Sequence, residues 1–290
     1  MVDNASSDGS ADVARDREAD VVIANDRNLG FARAVNLGLA ACSSEHVLLL
    51  NPDAELGQAA LASMRAVLRE QTGAAIVAPL LRDPDGVTQS GAGRFATLTR
   101  RVGLCLPLGG RVPYFRPQYR LLPDLLTAGR VIDVDYVFGA AMLVDRAFLA
   151  AAGGLDERFF LFAEDEDICR QARVAGRRVL LHTRVVARHI GGASCADETR
   201  MEAQRLYSTY LLFGKWRGQR AARAYHAGIV CASQLRVVAA RAERRPEAAA
   251  AIGRMGRLFD DAVRSGVDPL LAKRADAAPE ARPAGLGGKS

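Results

Sequence analysis

Four short stretches of the chain combine residue types that can do chemistry. Glu164-Asp165-Glu166-Asp167 places four carboxyl groups in a row, directly after the apolar Phe159–Phe162. Acids at the start of a helix meet the positive end of its dipole, which accounts for part of such a cluster. A carboxyl set against apolar surface also has its pKa raised, which suits it to take a proton from a hydroxyl. Asn51-Pro52-Asp53 follows the apolar run His46–Leu50. A carboxylate there can hold Mg²⁺ or Mn²⁺, hard ions that prefer oxygen and often bridge to substrate phosphates; Asn-Pro-Asp is equally a good turn. His189, in ARHIGGAS, is either a packed strand residue or a neutral imidazole able to ligate a metal. Asn28–Asn36 carries Gly30, which permits close backbone approach at a helix start, where phosphate is favoured. The stretch is neither a G-x-G-x-x-G nor a P-loop, and alone it is simply a helix start.

The elements that must position these residues alternate in type. Val2 begins a strand stub that runs into a turn-rich loop, and Ala11–Ala19 reads as a short helix. Val21–Ala24 has strand length, and Asn28–Ala41 is a glycine-broken turn entering a helix. His46–Leu50 reads as a buried parallel-type strand. Leu61–Glu70 has helical spacing, and Ala74–Pro79 is another strand. This β–α–β–α order predicts a parallel sheet covered by helices, with ligands at the carboxyl ends of strands. Residues 82–130 are rich in Gly, Pro and Arg and read as a long, partly ordered connection. Val131–Val144 holds two strand-like pieces around Gly139, and Ala147–Ala152 a short helix before Gly153-Gly154. The acidic cluster starts a helix, and Arg177–Leu181 and Val185–His189 read as edge strands. From Glu198 to about Phe259 the pattern is helical and basic.

Composition bounds the class. The chain has 290 residues with 49% hydrophobic and 25% charged residues and a net charge of +6, ordinary for a globular protein with a sizeable core. Residues 200–290 hold 17 Lys and Arg against 8 Asp and Glu, so the part bearing the motifs is net acidic. A basic tail suits nucleic acid or an anionic membrane surface, or is a solvated helical face. Few aromatics and no recognisable motif there argue against nucleic acid. Five cysteines at 42, 105, 169, 195 and 231 form no C-x-x-C pair, which reads as reduced thiols in the cytoplasm rather than a disulfide frame or zinc site. There is no signal-peptide pattern and no uncharged apolar run long enough to span a bilayer.

Seven stretches, taken in order, closely resemble the family 2 glycosyltransferases, particularly the bacterial rhamnosyltransferase-like branch. They are Val2–Ser10, Asn28–Gly38, Val47–Glu55, Val137–Arg146, Gly153–Arg170, Ala175–Leu181 and His189–Ser194. The resemblance implies an α/β, GT-A fold: a Rossmann-like mixed, mainly parallel sheet flanked by helices, with a C-terminal helical tail. Residues 1–197 would form that domain, 198–265 a basic helical region and 266–290 a disordered tail. By the same resemblance Asp3 contacts the nucleotide base, and Asn28, Gly30 and Arg33 line the nucleoside pocket. Asn51 and Asp53 match a D-x-D-like element, with Asp53 meeting the metal and diphosphate. Gly139 and Ala140 lie where donor sugar and acceptor meet. Glu164-Asp165 matches the acidic pair that supplies the base, and His189 a histidine that often completes the metal site. Asp165 is the first choice for base and Asp167 the second.

The implied enzyme is an inverting, metal-dependent hexosyltransferase of cell-wall or surface polysaccharide synthesis. It uses Mg²⁺ or Mn²⁺ to move a sugar, rhamnose first, from a dTDP- or UDP-sugar to a saccharide or polyprenyl-linked acceptor. The chain departs from the family pattern at its start: members begin with an apolar strand and a helix ahead of the VDNAS element, which here starts at Val2. The expectation is an N-terminally shortened domain, through a start assigned too late or a truncated product. The alternative function is a non-catalytic, glycosyltransferase-like binding protein. Arginines interleaved with apolar residues from Arg217 to Arg245 fit either a helix packed on the domain or one lying on the inner face of the cell membrane.

Overall fold

The computed structural model of the chain describes residues 1–89, 91–95, 97–107, 129–191 and 197–272. In chain order its strands are β1 (Val2–Asp3), β2 (Ile23–Ala24), β3 (His46–Leu50), β4 (Ala54–Glu55), β5 (Ala74–Arg82), β6 (Thr88–Gln89), β7 (Ala92–Gly93), β8 (Val131–Asp133), β9 (Tyr136–Val137), β10 (Ala141–Asp145) and β11 (Arg178–His189). The helices are α1 (Ser10–Asp16), α2 (Phe31–Ala40), α3 (Gln58–Glu70), α4 (Leu98–Leu104), α5 (Arg146–Ala151), α6 (Glu164–Val174), α7 (Glu198–Ala242) and α8 (Pro246–Ser265).

The main sheet has the order β3-β10-β5-β11-β4, with β6 beside β5 and β8 beside β11. It is mixed, as predicted, but antiparallel pairings dominate: β5 and β11 run parallel, while β10 runs antiparallel to both β3 and β5. β1 and β2 form a separate parallel pair, and β7 and β9 a separate antiparallel pair. The sequence reading of β3 as a parallel-type strand is corrected, since its one partner among the described residues is β10, antiparallel. Its run is apolar because both faces are covered: Val47 and Leu49 join the larger core and Leu48 packs with the α3 side. Double-sided cover, rather than strand direction, is what a continuous apolar run reports.

β11 corrects a second expectation. The two predicted edge strands are one strand, seated between β5 and β4, with a register shift between His182 and Val186. That irregularity interrupts the alternation, which is why the sequence reads as two pieces. The connection expected over residues 82–130 contains β6, β7 and α4; residues 108–128 lie outside the described ones.

β5 is the centre of the core, with eight of its nine residues buried. Burying each Val, Ile or Leu there contributes about 1.5–3 kcal/mol. The larger core gathers Ile76, Met142, Val144, Phe148 and Leu149 with Ile168 and Cys169 of α6. It thereby fixes the helix that begins with the four acids. α7 is broken at Gly218 (φ 82°, ψ 167°) and pairs with α8 in a helical hairpin with its own core around Tyr225, Ile229 and Phe259. Residues 266–272, expected to open a disordered tail, dock on α7: Gln204 Nε2 donates to Asp268 Oδ1 at 2.7 Å, and Arg200 Nη1 to the Pro269 carbonyl at 2.9 Å. Residues 273–290 lie outside the described ones.

Candidate active site

The four acids sort themselves by partner. Asp167 is fully buried, and both its oxygens are committed: Oδ1 accepts from Trp216 Nε1, and Oδ2 from Lys215 Nζ and Gln171 Nε2, at 2.7, 2.7 and 2.8 Å. Glu166 accepts from Arg101 and Arg170, each at 2.8 Å, with the Arg170 guanidinium 4.0 Å above the Phe95 ring. Both are engaged by side-chain donors, cationic ones among them. Asp165 is different. Its Oδ2 accepts from the Gly139 N–H at 3.2 Å and its Oδ1 from the Glu166 N–H at 2.7 Å. Burial pushes its pKa up to about 6, against those two backbone hydrogen bonds, which lower it. Glu164 is buried, and its Oε2 has no hydrogen-bond partner. Burial first, and the Asp165 charge second, raise its pKa well above the ordinary carboxyl value.

The backbone ahead of these acids is strained. Phe162 and Ala163 both adopt left-handed conformations, φ 69° and 71°, at about 1–3 kcal/mol each for residues with a Cβ. α7 holds the strained turn in place. Ser208 Oγ donates to the Leu161 carbonyl at 2.7 Å, and the Arg205 guanidinium lies 4.8 Å from the Phe162 ring centroid. Lys215 spans Asp156 and Asp167, 2.7 Å from each. Asp156 is drawn far below the ordinary carboxyl range, against its burial, by Arg158 and Lys215. Sequence reasoning missed Ser208, Lys215 and Trp216, because nothing in a basic helical stretch marks the residues that reach back to an acid helix.

The Asn-Pro-Asp turn meets the Gly139-Ala140 turn. The Asn51 N–H donates to the Ala140 carbonyl at 3.0 Å, which ties the end of β3 to the Gly139-Ala140 turn beneath Asp165. Asp53 lies beside His189, with Oδ1 3.5 Å from Nε2, and its Oδ2 accepts from the Gly191 N–H at 3.1 Å. Gln89 Oε1 sits 2.8 Å from His189 Nδ1. If Nδ1 carries the proton toward that amide oxygen, Nε2 presents its lone pair on the Asp53 side, the arrangement of a metal-binding histidine with an outer-shell partner. One imidazole and one carboxylate suit a divalent ion that takes its remaining oxygens from a substrate diphosphate. No group of three potential metal-ligating side chains occurs among the described residues. Gln89 escaped the sequence reading because it lies in the segment taken for a connection. Residues 192–196, which include the end of the HIGGAS motif and Cys195, lie outside the described ones.

The nucleoside-side residues gather around β1 and the start of α2. Asp3 is buried and accepts from the Ser6 N–H at 3.2 Å. Asn4 Nδ2 donates to the Gly30 carbonyl, and Asn25 Nδ2 to Asn4 Oδ1. Asn28 Oδ1 accepts from the Gly30 N–H at 2.9 Å, setting the turn into α2. Gly30 has φ 87°, and a Cβ there would sit 2.6 Å from the Phe160 carbonyl oxygen, which accepts from the Phe31 N–H. That contact binds this group to the loop before the acids. Arg33 lies 3.9 Å from Glu157, both side chains about half exposed. Asn36 clasps the same loop, accepting from the Leu155 N–H and donating to its carbonyl, each at 2.8 Å. Hydrogen bonds link Asn51 to Ala140 and Gly139 to Asp165, Asp53 pairs with His189, and Asp3, Asn28, Gly30 and Arg33 gather near the loop of residues 157–160; the predicted Glu164 and Asp167 are buried, Asp167 on its own side-chain partners.

The chain is similar to known proteins in sequence and in fold. Residues 1–135 match the model of glycosyl transferase family 2, and residues 120–205 that of glycosyl transferase family 21. An N-acetylglucosaminyl-diphospho-decaprenol L-rhamnosyltransferase of Mycobacterium tuberculosis is 28% identical over 240 residues, covering 75% of this chain and 76% of the relative. Among solved structures, a mannosyltransferase from Pyrobaculum calidifontis in complex with GDP-Man and Mn²⁺ aligns with a TM-score of 0.51 at 14% identity, over 89% of this chain and 76% of that one. The crystal structure of GalNAc-T7 with UDP, GalNAc and Mn²⁺ aligns with a TM-score of 0.50 at 15% identity over 67% of this chain, which spans only 37% of that structure. At these identities the structural likeness establishes the fold.

Proposed function

We propose that this chain, a family 2 glycosyltransferase of the rhamnosyltransferase-like kind, inverts the anomeric centre of its donor sugar with Asp165 as the base. The observation that carries the proposal is the Asp165 carboxyl. It alone of the four acids combines a pKa raised into the range of a working base with a position on the Gly139 turn, where the ends of β3 and β10 meet. The acceptor hydroxyl oxygen forms the new bond to the anomeric carbon as the bond from that carbon to the diphosphate oxygen breaks. The diphosphate leaves with the electron pair, and Asp165 takes the hydroxyl proton. Burial of Glu164 beside it disfavours a second negative charge next to the base.

Asp53 and His189 would hold a divalent cation, Mg²⁺ or Mn²⁺, and the two structural neighbours that carry Mn²⁺ support that reading. Bound there, the ion would offset the charge of the departing diphosphate. Asp3, Asn28, Gly30 and Arg33 receive the nucleoside. The donor we favour is dTDP-rhamnose over a UDP-sugar, and the acceptor a saccharide on a polyprenyl diphosphate, by likeness to the mycobacterial relative. The test is calorimetric titration of dTDP and UDP with and without Mn²⁺, followed by a transfer assay from dTDP-rhamnose to a lipid-linked N-acetylglucosamine. Mn²⁺-dependent dTDP binding with rhamnosyl transfer is expected. Binding without transfer to any acceptor would make the chain a non-catalytic binding protein and overturn the proposal.

A further inference from the structure

The second half of α7 is apolar on the face turned away from the protein as well as on the face packed against α8. Ile229, Ala232 and Ala240 are buried, as a hairpin requires. Yet Ala224, Ala227, Cys231, Leu235, Val238 and Ala242, spaced by three or four residues and therefore on one side of the helix, are all exposed. Leu235 and Val238 are 47% and 64% exposed. A helix with apolar residues on both sides normally has both sides covered. Charge identifies the cover. The second half of the helix, residues 219–242, holds four cationic side chains and no acidic one. Arg220 and Arg223 bracket the stripe at its start and Arg241 at its end, all exposed and without an ion-pair partner among the described residues. Beside the stripe, an open groove of about 630 Å³ runs between α7 and α8, sharing Val238 and Arg241 with it and floored by Gly253 and Gly256.

We infer that this face of the α7–α8 hairpin docks on an anionic lipid bilayer. Leu235 and Val238 enter the headgroup boundary, and the arginines at both ends of the stripe meet lipid phosphates. Among the described residues no helix is long and apolar enough to cross a membrane, so the helix lies along the surface. A neutral protein partner would satisfy the apolar stripe but leave the cations unmatched. The inference does not depend on the transfer chemistry, because docking is read without donor or acceptor.

The experiment is flotation of the full chain with phosphatidylglycerol vesicles and with phosphatidylcholine vesicles, together with light scattering of the free protein. Expected is flotation with phosphatidylglycerol only, weakened by added salt. The Leu235→Asp/Val238→Asp variant should lose it, and each of Arg220→Gln, Arg223→Gln and Arg241→Gln should weaken partitioning about fivefold. All five side chains are exposed, so the variants keep the thermal midpoint of the parent, and dTDP titration checks the crevice independently. No flotation with phosphatidylglycerol, or flotation that both sets of variants retain, overturns the inference. So does a dimer in solution that Leu235→Asp/Val238→Asp converts to monomer, since a second copy would then cover the stripe.

Discussion

The choice among four adjacent carboxyl groups is made by their partners rather than by their order in the chain. Lys215 and Trp216 engage Asp167, two arginines pair with Glu166, and Glu164 keeps a buried oxygen without a partner among the described residues. Asp165 remains, held only by backbone N–H groups. Its raised pKa has two readable consequences. Transfer, which needs the ionised form, should rise with pH through a midpoint near 6 and level off above it, as a pH–rate profile would show. Stability should run the other way. An acid whose folded pKa exceeds its ordinary value of 3.8 destabilises the fold only when ionised there. That cost is absent below the ordinary value and complete above the folded one. Asp165→Asn should therefore unfold at higher temperature than the parent at pH 8, by roughly 1–2 kcal/mol, and lose that advantage in acid. At the metal pair, Asp53→Ala should abolish the Mn²⁺ dependence of dTDP affinity in calorimetry; unchanged dependence would remove Asp53 from the site.

At the scale of elements, the site depends on α7 gripping the turn before α6. Lys215→Met should leave Asp167 buried and short of its cation, and the strained Phe162-Ala163 turn less firmly held. The expected kinetic signature is a fall in kcat of about 10-fold or more with KM for the donor little changed; an equal effect on both would mark a merely structural role. Gly30→Ala should destabilise the fold by about 2–4 kcal/mol in chemical denaturation, because its Cβ would meet the Phe160 carbonyl at a positive φ. The sequence made some of this legible and hid the rest for physical reasons. Helix α2, strand β3 and the acid-headed α6 are marked by apolar spacing and sharp boundaries. β11 hides behind its register shift, and β6 and β7, two residues each, are too short to carry a pattern. Of the site residues that resemblance marked, Asp53 lies beside His189 and Asp165 on the Gly139 turn. Gln89, Asn36, Ser208 and Lys215, which orient them, act across long chain separations that no local spacing reports.

The whole molecule joins three bodies: the β1–β2 and α2 group, the main sheet with α6, and the α7–α8 hairpin. Apolar packing of Phe31, Ala32, Val35 and Leu39 joins α2 to the main core, and polar contacts add Phe31 to Phe160, Asn36 to Leu155, and Lys215 to Asp156 and Asp167. A nucleotide that touches both Asp3 and Asp53 would brace two of these bodies. Saturating dTDP with Mn²⁺ should thus stabilise the chain by about 2.7 kcal/mol at a hundredfold excess over Kd, seen as a raised thermal midpoint, and Asp53→Ala should lose most of that gain. Everything proposed for the crevice converges on one carboxyl group. The most direct measurement is single-turnover transfer by the parent and by Asp165→Asn, at pH 8, with dTDP affinity measured on the same samples. A rate lower by about 10²–10⁴-fold with dTDP affinity preserved is expected. Transfer at the parental rate by Asp165→Asn would contradict it.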